Sequence, residues 1–265
     1  MHLFTRISKT FLGNELLNTW HRFKHGVSID LSQTDLDHLS NLKNRGWTVL
    51  SSEFTSTELD ETREALDLVF SRTDLPIWSD DEGADFRLFG MNNLSDIAKR
   101  FCENENARRI LTAYTKIPIT DITTMGGRIQ ALETNKGSGG GWHRDTAEFK
   151  QVKSIMYASP ITETNGPFQY VDGSHKRKDV SKISSFLGHH WNERRFANSE
   201  IENLCEHYHM TISTLIAGPG EIILVDTSGL HRGKPLDSGS RYALTNYIWN
   251  NRDVPDHIKK MIYSP

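Results

Sequence analysis

The hydrophobic pattern changes period part-way along the chain. Up to about residue 115, apolar positions recur at three- and four-residue intervals, the spacing of one helix face. Leu3, Phe4, Ile7, Phe11, Leu12, Leu16, Trp20 and Phe23 form the first such stripe, and Arg6, Lys9, His21, Arg22, Lys24 and His25 make the same segment basic. A basic amphipathic helix can lie on a membrane, dock a partner, or pack its stripe on its own domain. The last is the expectation here, with peripheral membrane contact by residues 1–25 as the lesser reading. Gly46-Trp47-Thr48-Val49-Leu50 then reads as a buried strand, rich in β-branched and aromatic residues. A helix is expected over 58–70, capped by Ser56 or Thr57, with Leu59, Leu66 and Val69 or Phe70 inward. The acidic stretch 71–85 reads as a loop, and 94–114 as helix.

From about Thr120 the period falls to two. Residues 128–132, 153–158, 168–171, 211–216, 221–225 and 242–249 alternate, with Gly137 to Gly141, Gly166-Pro167, Asp172-Gly173 and Gly218-Pro219-Gly220 as turn signals between several of them. Short strands separated by turns indicate a sandwich or barrel-like double sheet rather than alternating βαβ units. The fold class is therefore mainly β with flanking helices, an α+β chain with a β core. Residues 176–210 break the rhythm and read as one insertion between strands. The division expected is an amphipathic helical segment over 1–41 and a single domain over 42–265.

Composition narrows the partners. Of 265 residues, 31 are Lys or Arg and 34 are Asp or Glu, so a net charge of −3 gives no global drive toward nucleic acid. Two cysteines, Cys102 and Cys205, exclude a disulfide-built scaffold and a cysteine-rich zinc module. No apolar run is long enough to span a bilayer. The cytoplasm is the expected compartment, and no nucleic-acid partner is expected.

The chemistry-bearing stretch is Trp142-His143-Arg144-Asp145, which follows the run Gly137-Ser138-Gly139-Gly140-Gly141. On an extended strand, residues i and i+2 share a side, so His143 and Asp145 aim at one point. They supply two ligands of a 2-His-1-carboxylate triad, which leaves one face of an Fe(II) open. His-x-Asp alone is a weak signal in a chain with 12 histidines. The context is His231, which follows the buried strand at 221–226 and can face that pair. Arg241 opens the last apolar alternation. An arginine entering a β core needs an anionic partner, and a dicarboxylate cosubstrate would be gripped by two parallel hydrogen bonds.

Taken in order, Gly46-Trp-Thr-Val-Leu, Trp142-His-Arg-Asp, Asn165-Gly-Pro-Phe-Gln-Tyr-Val-Asp-Gly-Ser-His175, Gly218-Pro-Gly-Glu, Leu230-His231 and Arg241-Tyr-Ala-Leu-Thr resemble the phytanoyl-CoA dioxygenase family of Fe(II)/2-oxoglutarate-dependent oxygenases over about 42–249. The resemblance implies a double-stranded β-helix (jelly-roll, cupin-like) core with N-terminal helices. It also implies Fe(II), 2-oxoglutarate and O2 as cofactor and cosubstrates, with succinate and CO2 as coproducts. His143, Asp145 and His231 become the metal ligands and Arg241 the anchor of the distal carboxylate. Gln130 is a candidate for the proximal end of the cosubstrate. Tyr157 points into either the core or the pocket. Arg128, Trp142 and Phe149 are candidates for the substrate mouth.

Two positions depart from the family pattern. Asp172-Gly173 stands where Pro-Gly is usual, and Gly233 stands where many members carry a hydroxyl, so another group takes that role or it is absent. The expected activity is hydroxylation of a small or carrier-linked molecule, with a lean toward a polar metabolite or carbohydrate intermediate. The alternative is a non-catalytic β-barrel that keeps a metal for structure or sensing. Arg241 beside an open triad separates the two, because a structural metal site is normally closed by a fourth protein ligand.

Overall fold

The computed structural model describes residues 10–132, 137–250 and 252–264. Helix α1 (Phe11–His25) and helix α2 (Gln33–Asn44) lead into strand β1 (Trp47–Leu50) and helix α3 (Ser56–Phe70). Thr55, one residue earlier than expected, caps α3 through a reciprocal box with Glu58. The expected loop at 71–85 holds a short strand, β2 (Trp78–Ser79), and runs into β3 (Asp85–Phe89). The single helix expected at 94–114 is two, α4 (Asp96–Cys102) and α5 (Glu105–Thr115). Asn104 breaks it by leaving helical geometry to cap α5 through Ala107 N–H.

Seven more strands follow: β4 (Ile122–Gln130), β5 (Val152–Tyr157), β6 (Phe168–Val171), β7 (Ile212–Leu215), β8 (Ile222–Asp226), β9 (His231–Gly233) and β10 (Ser240–Ile248). Helices α6 (Arg177–Phe186) and α7 (Asn198–Tyr208) sit between β6 and β7, and a short α8 (Asp256–Lys259) follows β10. The larger sheet has the order β1-β8-β5-β10-β4-β3-β2 and the smaller β7-β6-β9, with every pairing antiparallel. The architecture is a double-stranded β-helix: α2 to α5 pack with the larger sheet, and α6 and α7 form a separate cluster with Val171 and Leu230.

Alternation on β10 decides what each face does. Leu244 and Ile248 point to the helices and join Leu66, Ile110, Leu111, Met156 and Leu224 in the main core. Asn246 lies on the same side and is fully bonded there, to Thr124, Ser154 and the Phe101 carbonyl. Arg241, Ala243, Thr245 and Tyr247 point the other way, into the cleft between the sheets. Register brings Ile129, Gly127 and Met125 of β4 and Tyr157, Ile155 and Lys153 of β5 alongside them on that face.

One expectation fails at the N-terminus. Residues 1–9 lie outside the described residues, but the rest of the stripe is visible on α1. Phe11 meets Trp191 edge-on, but the other residues of the stripe do not pack on the domain: Leu12 is 73%, Leu16 64%, Trp20 58% and Phe23 89% exposed. The buried face is polar, with Asn14 and Asn18 bonding the Glu148 carbonyl and Glu15 pairing with Arg177. Periodicity located the stripe correctly and could not say which side meets the protein, because specific side-chain-to-carbonyl bonds set the docking.

Candidate active site

His143 and His231 form an isolated antiparallel bridge across the mouth of the cleft. Each donates its backbone N–H to the other's carbonyl, at 2.9 and 2.8 Å, and the ring centroids lie 4.3 Å apart. The Asp145 amide bonds the Thr227 carbonyl, which fixes the carboxylate two residues along. Ligand atoms of His143, Asp145 and His231 all fall within 4.8 Å of one another, and no other such cluster of His, Cys, Asp and Glu occurs among the described residues.

The donor chemistry suits a divalent transition metal. A carbonyl oxygen can only accept, so the contacts to Gly141 O at 2.8 Å and Gly229 O at 2.9 Å place the proton of each imidazole on Nδ1. Nε2 of both rings is left with its lone pair free for a metal, the arrangement in which a backbone carbonyl orients a ligating histidine. Burial lowers the pKa of His143, with Asp145 opposing it in part. Burial, reinforced by His143, lowers that of His231 to about 3. Both rings are therefore neutral at physiological pH.

Asp145 has its two oxygens in different surroundings. Oδ1 faces His143 Nε2 at 3.9 Å, while Oδ2 lies 2.7 Å from Lys153 Nζ. Burial alone would raise the carboxyl pKa, but Lys153 above all, together with the two imidazoles, holds it well below the usual range. Lys153 is itself buried, sits 4.0 Å over the Tyr247 ring, and is kept charged by Asp145 against its own desolvation. The motif reading missed Lys153. The available signal was a lysine inside a strand whose other residues are apolar but for Ser154, and every residue of β5 is buried.

Arg241 is buried among Tyr157, Phe168 and Gly233, with its guanidinium 5.8 Å from the Tyr157 ring centroid. It donates to the Gly166 carbonyl and has no carboxylate partner among the described residues. Burial lowers its pKa. Gly233 leaves no room for a side chain, because a Cβ there would lie 2.8 Å from that of Ser138. Ser138 thus stands beside the position where the family pattern puts a hydroxyl residue, and its own hydroxyl accepts from Arg87 at 3.4 Å. Gly139 is constrained as well: its φ is +85°, and a Cβ would stand 2.2 Å from Cε1 of His143.

These groups line a cavity of about 310 Å³, and Tyr157 belongs to it. Four sequence candidates lie elsewhere. Gln130 and Arg128 are out of step with Ile129, so they fall on the opposite face of β4, where Arg128 pairs with Asp67 beside Phe70 and Phe86. Trp142 alternates away from His143 into the cluster with Leu230 and Phe196, under the Arg232 guanidinium. Phe149 lies beneath Arg252 at a separate small cavity. The mouth is instead supplied by Arg87, Arg194 and Arg195, with Trp78, Asp81 and Glu82 at its outer lip.

Residues 45–241 match the family model Phytanoyl-CoA dioxygenase (PhyH). The chain belongs to the phytanoyl-CoA dioxygenase family. It is accordingly an Fe(II)/2-oxoglutarate-dependent dioxygenase, with iron, 2-oxoglutarate and O2 as its cofactor and cosubstrates. No curated protein matches the sequence of this oxygenase. Among solved structures it is similar to the non-heme alpha-ketoglutarate-dependent carbocyclase SnoK of nogalamycin biosynthesis, with 14% identity, TM-score 0.62, and coverage of 89% of this chain and 92% of that one. It is also similar to EctD from S. alaskensis with bound Fe (13% identity, TM-score 0.60, coverage 87% and 83%). HygX from Streptomyces hygroscopicus, with nickel, 2-oxoglutarate and hygromycin B bound, is a third (17% identity, TM-score 0.54, coverage 82% and 87%). At these identities the likeness is one of fold. Among the described residues no helix is long and apolar enough to cross a membrane.

Proposed function

We propose that this oxygenase hydroxylates a polar small molecule, with iron held by His143, Asp145 and His231 and the distal carboxylate of 2-oxoglutarate held by Arg241. The observation that carries the reading is an open three-donor cluster sharing one cavity with a buried guanidinium that has no carboxylate partner. Leaving such a charge buried and unpaired is costly, and a dicarboxylate removes that cost. Iron bound at the triad supplies the oxidising chemistry, turning 2-oxoglutarate and O2 into succinate and CO2 as the substrate is oxidised.

The chain's own residues hold the geometry. Gly141 and Gly229 carbonyls orient the two imidazoles, and Lys153 secures one oxygen of Asp145 so that the other stays turned to the histidines. The Tyr157 hydroxyl accepts from the Phe168 amide at 3.2 Å, which braces the wall beside Arg241. Ser138 offers its hydroxyl to the cosubstrate in place of a side chain at Gly233. A polar substrate is favoured by the mouth, where Arg87, Arg195, Asp81 and Glu82 surround Trp78. A structural or sensing role for the metal is disfavoured, because a fourth protein ligand is missing from the described cluster.

The test is turnover under labelled O2 with Fe(II), 2-oxoglutarate and a panel of amino sugars, sugar nucleotides and amino-acid derivatives. Hydroxylation puts one labelled oxygen into succinate and one into product. Succinate formed together with a product that has gained no oxygen would contradict the hydroxylation reading.

A further inference from the structure

Helix α1 is amphipathic in the inverted sense. Its polar side is spent on the protein: Asn18 Nδ2 donates to the Glu148 carbonyl at 2.6 Å, Arg252 donates to Asn18 Oδ1 at 3.0 Å, and Glu15 pairs with Arg177 at 2.6 Å. At about 100° per residue, positions 12, 16, 20 and 23 fall within an arc of roughly 80°. That arc carries Leu12, Leu16, Trp20 and Phe23, all facing solvent. Contiguous exposed apolar surface with charged edges marks an interaction site.

Charge identifies the occupant. Lys24 and Arg22 flank the apolar arc on opposite sides, with Lys24 Nζ 5.4 Å from the Trp20 ring centroid. The helix has one acidic residue, Glu15, already neutralised by Arg177. Beneath the helix lies a small cavity lined by Arg22, Lys150, Arg252 and His21 and by no carboxylate. The cations crowd one another: Lys150 is lowered by burial and then by Arg22, Lys43 and Lys116, though Asp226 partly opposes this. Arg252 is lowered to about 10 by burial and Arg22. A second copy of the chain would meet this face with the same apolar arc and the same positive edges, and would bring no compensating acid. An anionic lipid surface offers hydrocarbon for the arc, an interfacial level for Trp20 and negative charge for the flanks.

We infer that α1 docks the oxygenase peripherally on an anionic phospholipid surface, with Leu12, Leu16, Trp20 and Phe23 entering the interface and the exposed Lys24 facing the headgroups. The helix is anchored on Glu148, three residues beyond Asp145, so the docked face is tied to the segment that carries the carboxylate of the triad. The inference does not depend on the substrate or on the reaction outcome.

The test is sedimentation of the full-length protein with vesicles of phosphatidylcholine alone or with phosphatidylglycerol, at low and high salt. The wild type is expected to sediment with the phosphatidylglycerol vesicles and to be released by salt. Leu16→Ser/Trp20→Ser/Phe23→Ser should partition at least tenfold less, and Lys24→Glu should bind less with a flatter salt dependence. These side chains are exposed, so melting temperature and soluble activity should stay at wild-type values. Wild-type protein that remains in the supernatant with anionic vesicles at low salt overturns the inference. So does a triple variant that binds as well as wild type. Concentration-dependent dimerisation in the absence of lipid, abolished by the triple substitution and without vesicle binding, would assign the face to a second copy instead.

Discussion

Titration of His231 probes the site without any substrate. In the folded chain its imidazole is 3% exposed, and burial with His143 beside it lowers the pKa from 6.5 to about 3. Between those values the unfolded chain binds a proton that the folded chain does not. Stability therefore rises with pH through this window and is lost as pH falls below the unfolded value. One proton is worth about 1.4 kcal/mol per pH unit, so moving two units below the unfolded value removes roughly 2.7 kcal/mol through His231 alone. His143, lowered by the same cause, adds to the loss. Urea unfolding of chelator-treated protein, from neutral pH to about two units below the histidine value, reads this directly. His231→Gln carries no proton, so its stability should fall less steeply by about one proton's worth per pH unit, whatever its absolute stability at neutral pH. Parallel curves for wild type and variant would refute the reasoning, since they would mean that His231 titrates in the folded chain as it does in water.

Other outcomes follow from neighbouring contacts. Arg241→Met should weaken 2-oxoglutarate binding about a hundredfold, the loss of a charge-assisted pair worth about 3 kcal/mol, while leaving Ni(II) affinity unchanged by calorimetry. Gly139→Ala should lower metal affinity tenfold or more with an unaltered far-ultraviolet spectrum, because the new methyl collides with the His143 ring. Tyr114→Phe removes a buried 2.6 Å hydrogen bond to Asp226, which also holds the Ser228 amide and hydroxyl in the turn leading to His231. It should cost about 1.5–3 kcal/mol in urea unfolding, the range for a bond to a charged group. Saturating Fe(II) or Ni(II) should raise unfolding stability by about 2.7 kcal/mol at a hundredfold excess over the dissociation constant, and the gain should vanish in Asp145→Ala.

The β core was legible because alternation and turn residues are local signals. Residues 168–171 and 221–225 fall on or within one residue of β6 and β8, and His143, Asp145, His231, Arg241 and Tyr157 converge on one cavity. What sequence could not supply was the face of a strand whose neighbours are buried on both sides. Arg128 and Gln130 sit one residue out of step with the cavity, and a single-residue offset sends a side chain to the opposite face. Trp142 and Phe149 are close to the triad in sequence and turn away from it in space. Lys153 carries no motif, and its contact with Asp145 exists only because β5 pairs with β10 and faces the bridge between His143 and His231. The inverted docking of α1 is hidden for the same reason, since it depends on a carbonyl at Glu148 more than a hundred residues away.

The central claim is that one cavity holds both the metal at the triad and the 2-oxo acid at Arg241. Anaerobic addition of Fe(II) and then 2-oxoglutarate to the metal-free protein tests it most directly. The weak visible band of an iron-chelated 2-oxo acid should develop in the wild type, fail to appear in His143→Ala, and require far more 2-oxoglutarate in Arg241→Met. Metal bound without a band on adding 2-oxoglutarate, or no metal bound at all, would contradict the account.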